Sequence, residues 1–223
     1  ASSLSRRNFL KGVASLAPMI VPASALGLDG AVAPSNRITI GCIGVGGQGG
    51  SNMRAFLAQR GAQVVAVCDV DCKHRDSAKA VVDAQYGDDG CISYNDFREI
   101  ITREDIDAVS IGTPDHWHAV ITIAAAKSGK DIYCEKPLSL TIAEGRAMVD
   151  AVHAYGRVLQ TGTWRRSRSG CRRACELVRN GRIGELKKIV IGVPRGFAVR
   201  NGEQSELEKP QPIPEGFDYD MWL

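Results

Sequence analysis

The sequence has no apolar run reaching the roughly 18 to 20 residues of a membrane-spanning helix, so stable membrane insertion is not expected and any membrane link would lie in targeting. It has no strong charge imbalance: the net charge is +3 with 24% charged residues, which disfavours a basic nucleic-acid binder and, with 44% hydrophobic residues, argues against disorder. It lacks an even cysteine count. Seven cysteines, Cys42, Cys68, Cys72, Cys91, Cys134, Cys171 and Cys175, fit no complete intrachain disulfide framework. Cys42, Cys68 and Cys134 lie in apolar runs and are expected as buried, reduced thiols. Cys171 and Cys175 have C-x-x-x-C spacing but no histidine nearby to complete four metal ligands, so no metal is expected. No repeat of solenoid period is present. What the chain has in excess is glycine, 24 of 223 residues against a usual share of roughly 7%.

A length of 223 residues suits one complete domain and part of a second. The N-terminus reads as an address. Ser5-Arg6-Arg7-Asn8-Phe9-Leu10-Lys11 precedes a modestly apolar stretch, Gly12 to Leu26, and Ala23-Ser24-Ala25 offers an A-x-A-like cleavage site. This resembles the twin-arginine export signal, whose implied partner is the twin-arginine export machinery and whose implied destination is periplasmic or otherwise extracytoplasmic. The competing reading is a basic arm on a cytosolic protein. Residues 1–36 are therefore assigned to a signal and linker, outside the fold.

From residue 37 onward strands alternate with helices. Arg37 to Ile43 is a β-branched run followed by a glycine cluster and a helical pattern over Ser51 to Arg60. Gln63 to Cys68 reads as a second strand and Cys72 to Tyr86 as a helix stopped by Gly87. Asp96 with Glu99 suggests a capped short helix through Ile101. Ala108 to Gly112 is a strand, His116 to Lys127 a helix and Asp131 to Cys134 a strand. Thr141 with Glu144 opens a helix to about Tyr155, and Val158 to Thr161 is a fifth strand. Parallel strands need crossovers, so the expected fold class is α/β, a Rossmann-type doubly wound parallel sheet over 37–163. Residues 164–223 are expected to begin an α+β second domain and leave it incomplete: seven arginines from Arg165 to Arg182 with a solvated helix over Ser169 to Asn180, then a strand over Leu186 to Val193. A phosphate or nucleic-acid groove is the sharper reading of those arginines, but only Trp164 is there for base stacking, and no nucleic-acid partner is expected.

The chemistry begins at Gly44-Val45-Gly46-Gly47-Gln48-Gly49, a G-x-G-x-x-G directly after a strand and before a helix. Such glycines permit a tight turn, close approach of backbone amides to a pyrophosphate, and close helix–strand packing, while the helix N-terminus favours the phosphates. Asp69, twenty residues after Gly49, stands where a carboxylate accepts from both ribose hydroxyls, which favours NAD over NADP, although Lys73 and Arg75 lie close by. Thr113-Pro114-Asp115-His116-Trp117-His118 and Cys134-Glu135-Lys136-Pro137-Leu138 end two further strands on the same carboxyl edge.

T-P-D-x-x-H and C-E-K-P downstream of the glycine turn resemble the glucose-fructose oxidoreductase and inositol dehydrogenase family (Gfo/Idh/MocA) over about residues 37–193 and the Asp218 to Leu223 tail. The resemblance implies NAD-dependent hydride transfer at a hydroxyl-bearing carbon of a sugar or cyclic polyol. It makes Lys136 the catalytic lysine, able to hydrogen-bond the reacting hydroxyl and pass a proton. Glu135 would hold the nicotinamide end or Lys136. Thr113, Pro114 and His118 would line the cofactor, with His116 and Trp117 either lining or packing, and Trp164 and Arg165 would face the sugar. His74 and His153 are read as exposed bystanders. Family members run longer and carry a D-x-x-x-H stretch on a second domain that also builds the oligomer. The chain is accordingly expected to be a truncated form, a homo-oligomer if that domain is complete. Two alternatives stay open: a nucleotide-binding module without turnover, and the NAD-dependent glycosidase branch, against which Lys136 weighs.

Overall fold

The structure is a computed structural model that describes residues 23–28, 32–192 and 212–223; the twin-arginine run at 5–11 lies outside the described residues. Six strands, β1 (Ile38–Ile43), β2 (Ala62–Cys68), β3 (Ile92–Tyr94), β4 (Ala108–Ile111), β5 (Asp131–Cys134) and β6 (Leu159–Thr161), form one sheet in the order β3-β2-β1-β4-β5-β6. All five pairings are parallel. The order reverses between β1 and β4, and the crevice at their carboxyl ends is where open α/β sheets bind ligands.

Both faces are buried, as parallel sheets require. Ile40 and Cys42 of β1 join one apolar cluster with Met53 of helix α1 (Gly47–Leu57) and Ala78 and Val82 of α2 (Cys72–Tyr86). Ile43, on the opposite face, packs with Ile100 of α3 (Phe97–Ile101), Ile121 of α4 (Asp115–Lys127) and Met148 of α5 (Ile142–Ala154). Burial pushes the thiol of Cys42 up to about 12 and that of Cys134 to about 11, so both behave as small hydrophobic groups within strands. Helix starts follow local chemistry. The Asp71 and Asp96 carboxylates accept from Lys73 N and Arg98 N to cap α2 and α3, and Thr141 with Glu144 forms a full reciprocal capping box on α5.

Three expectations need correction. The first helix opens at Gly47, inside the glycine motif, rather than at Ser51, because the missing Cβ atoms let its first turn lie against β1. A sixth strand, β3, has only three residues and so no readable alternation; it forms because Ala66 to Cys68 offer it a ladder. The run from Leu186 to residue 192, expected as a strand, takes no strand conformation, and Ile189, Val190 and Ile191 are exposed. No described strand pairs with it, and an isolated strand is not stable in water. Helix α6 (Ser169–Arg179) forms as expected and buries none of its residues.

Candidate nucleotide and hydride-transfer site

The turn after β1 is shaped by steric need at two glycines. Gly44 has φ +74°, and a Cβ there would sit 2.5 Å from Thr113 N. At Gly49 a Cβ would run into the Gly44 carbonyl oxygen, so α1 can approach β1 only with hydrogen at that position. Gly46 is the N-cap of α1 and offers no side-chain cap, which leaves the first-turn amides of Gly47, Gln48 and Gly49 as orphan donors. At Gly47 a Cβ would meet nothing within 4 Å. Bare amides at a helix N-terminus facing open space suit a diphosphate.

Asp69 follows β2 directly and closes this turn from the other side. Its Oδ2 accepts from Val45 N (2.8 Å) and its Oδ1 from Asp71 N (3.0 Å). The carboxylate therefore fixes the glycine turn as well as facing the crevice, and each oxygen keeps a further lone pair for a ribose hydroxyl. Arg75, a possible partner for a 2′-phosphate, is committed elsewhere: its Nη1 donates to Asp69 O and Asn95 Oδ1, each at 3.0 Å. His74 is half-exposed but not a bystander. Its Nδ1 lies 3.8 Å from Asp69 Oδ1 and its ring stands 3.2 Å from where a Gly46 Cβ would be. A cavity of 270 Å³ opens here between Gly44, Asp69, Thr113 and Trp117.

The two remaining turns on this edge are joined by a buried histidine. His118 places Nε2 2.9 Å from Thr113 O and Nδ1 2.6 Å from Pro137 O. It is 1% exposed, so it does not line the cofactor as expected but positions the Thr113-Pro114 turn against Lys136-Pro137, whose peptide bond is cis. Thr113 and Pro114 do line the cavity. His116 and Trp117 both reach Trp222 O, and Trp117 also lines the cavity.

Glu135 is buried and held on several sides. Asn52 Nδ2 donates to its Oε1 (2.9 Å), Tyr133 donates its hydroxyl to the same oxygen (3.4 Å), and Lys136 N donates to Oε2 (3.2 Å). Burial, then the Glu135 carboxylate, push the Tyr133 hydroxyl up, which keeps its proton in place. Gln48 Nε2 donates to Asn52 Oδ1 (2.9 Å), so a polar chain runs from the first turn of α1 to the end of β5. Gly162 makes room for it: a Cβ there would lie 2.7 Å from the Glu135 carboxyl carbon. Asn52 and Gly162 escaped the sequence reading because only the fold brings them to Glu135, Asn52 across 83 residues, and Tyr133, two positions before Glu135, read only as part of a strand. Lys136 itself is exposed, and among the described residues its ammonium meets no hydrogen-bond or ion-pair partner. Trp164 and Arg165 lie after β6, where the guanidinium carbons of Arg165 and Arg168 sit 4.7 and 5.1 Å from the centroid of the exposed Trp164 ring.

Residues 38–163 match the profile of an oxidoreductase family with an NAD-binding Rossmann fold, Gfo/Idh/MocA. The chain belongs to this family. Among Gfo/Idh/MocA relatives, inositol 2-dehydrogenase of Azotobacter vinelandii is 35% identical over 150 residues, 66% of this chain and 43% of that protein. An alpha-N-acetylgalactosaminidase of Shewanella oneidensis is 31% identical over 66% of this chain and 37% of its own length. The crystal structure of myo-inositol 2-dehydrogenase from Lactobacillus plantarum superposes with a TM-score of 0.60 at 30% identity, over 67% of this chain and 43% of that one. The chain thus spans about two fifths of the length of the curated relatives it matches.

Proposed function

We propose that the protein is an NAD-dependent oxidoreductase that transfers a hydride between the nicotinamide and a hydroxyl-bearing carbon of a sugar or cyclic polyol. The observation that carries this reading is the pairing of uncapped glycine amides at the start of α1 with Asp69 across one crevice, with Glu135-Lys136 on the same sheet edge. When bound, the nicotinamide ring supplies the hydride acceptor or donor. The residues of the chain bind and orient. Gly47, Gln48 and Gly49 present amides to the diphosphate, and Asp69 accepts from the ribose. The chain Gln48–Asn52–Glu135 fixes the strand end from which Lys136 projects. An unpartnered ammonium there can donate to the reacting hydroxyl oxygen, favour a developing alkoxide and take up or release its proton. Solved relatives described as inositol dehydrogenases support a polyol substrate, including the scyllo-inositol dehydrogenase of Lactobacillus casei solved with NAD(H) and scyllo-inositol at 27% identity and a TM-score of 0.59.

The test is purified protein mixed with NAD and a panel of inositols and sugars, followed by the absorbance of reduced nicotinamide. Reduction with a polyol is expected. Binding of NAD without reduction by any substrate would support a nucleotide-binding module, and release of a glycoside's leaving group would support the glycosidase reading that the Shewanella relative brings. Export through the twin-arginine pathway is proposed from Ser5 to Lys11, together with oligomerisation through residues beyond the nucleotide domain. A reporter fused to residues 1–36 should be exported, and an Arg6→Lys/Arg7→Lys version should remain in the cytoplasm.

A further inference from the structure

We propose that residues 214–223 form a strap that closes the adenosine end of the nucleotide site, with Phe217, Met221 and Trp222 as its inner wall, so that NAD leaves only when this segment lifts. The proposal rests on the nucleotide reading above and adds to it a binding element from outside the matched domain.

The segment is tied down at both ends of the crevice. At one end it joins the loop after β2: Cys72 N donates to Gly216 O (2.9 Å), Asp218 N donates to Val70 O (3.0 Å), and Asp71 and Phe217 form an antiparallel bridge. Gly216 has φ +79°, and a Cβ there would run into Cys72 Sγ, so this junction accepts only glycine. At the other end Trp222 O accepts from Trp117 Nε1 (2.9 Å) and lies 2.7 Å from His116 Nε2, both on the first turn of α4. The strap therefore reaches from the β2 edge to the β4 edge. A side-chain relay locks its middle. Asn95 Nδ2 donates to Asp218 Oδ2 (2.7 Å), and Asn95 Oδ1 accepts from Arg75 Nη1, which also holds Asp69 O. The second carboxylate oxygen of Asp218 accepts from Met221 N and starts the short helix α7 (Tyr219–Trp222).

The cavity beneath is the one that Asp69 borders. Its 270 Å³ is slightly below the roughly 300 to 1,000 Å³ of whole small-molecule sites, so it suits one end of a dinucleotide. Phe217, Met221 and Trp222 line it together with Val70, Phe97 and Trp117, leaving Asp69, His74 and Asn95 as its charged or polar side chains other than Thr113. An aromatic-walled slot beside a ribose-binding carboxylate is the environment of a stacked purine.

The experiment follows NADH fluorescence on the full chain, reading equilibrium affinity and the release rate after mixing with excess NAD. Trp222→Ala should speed release and weaken NADH by about tenfold, the scale of one base–aromatic stack. Asn95→Asp sets two carboxylates against each other and should do the same, while Asn95→Asp combined with Asp218→Asn rebuilds the donor–acceptor pair in reverse and should return release to within about threefold of wild type. AMP should weaken in parallel with NADH in Trp222→Ala, and nicotinamide mononucleotide should not. Wild-type protein that binds NADH, with release unchanged in both Trp222→Ala and Asn95→Asp, would remove the strap and leave the nucleotide site standing. Wild-type protein that binds neither NADH nor NAD would remove both.

Discussion

Two stretches of this chain carry similar β-branched runs and meet different fates. In β1 and β4, Ile40, Cys42, Val109 and Ile111 are at most 5% exposed, whereas Ile189, Val190 and Ile191 are 69 to 80% exposed and form no strand. Helices show the same divide: α4 buries six residues, and α6, although the more strongly amphipathic of the two, buries none. Strand propensity expresses itself only where a neighbour offers a ladder and a covered face, which makes it a property of position as much as of sequence.

The two regions should differ most when the packing of the nucleotide domain is disturbed. Gly49→Val would force a side chain against the Gly44 carbonyl, and the expected loss is about 3 kcal/mol or more of stability together with all NAD binding, read by urea unfolding and calorimetry. Ile111→Ala should cost about 2 to 5 kcal/mol as a buried truncation, while Ile191→Ala in the exposed run should stay within about 0.5 kcal/mol. Equal effects at these two positions would erase the distinction between the regions. Asn52→Ala removes a donor from the buried Glu135 carboxylate and should cost about 1 to 3 kcal/mol, measured in the same urea titration.

A pH series separates the regions by their thiols. The folded Cys42 thiol is pushed up to about 12 from an ordinary 9.0, so the folded state holds a proton that the unfolded state gives up. Stability should be fully present below pH 9 and fall as the pH rises from about 9 toward 12, and Cys42→Ala should flatten that fall. An alkylating reagent at neutral pH should label the exposed Cys171 and Cys175 at once and reach Cys42, Cys68 and Cys134 only on unfolding. The smallest effect is expected on α6, where Arg172→Ala removes an exposed ion pair with Glu176 and should change stability by less than about 0.5 kcal/mol.

Much of the nucleotide domain was legible in advance because its signals are local. A glycine turn between strand and helix and a threonine–glutamate capping box each lie within a few residues, and the Asp69 carboxylate comes one helix and one strand after the turn, a spacing that the repeating unit fixes. What escaped is long-range. Three-residue β3 carries no pattern, so Asn95 just after it could not be placed beside Asp69. His74 is the local exception: it looked like any exposed helical histidine, and the turn from β2 into α2 sets it beside Asp69. His118 was assigned to the cofactor surface when its two nitrogens in fact face backbone carbonyls in the interior. The return of Phe217 to Trp222 over the crevice is a tertiary event with no local signature beyond Gly216.

The central expectation for the molecule is a dinucleotide seated at the first turn of α1 with its ribose on Asp69. Isothermal titration of the intact chain with NAD should give saturable one-site binding, stronger than that of NADP and weakened about tenfold to a hundredfold in Asp69→Ala. No heat with either dinucleotide, together with no nucleotide liberated when the protein is denatured, would contradict it.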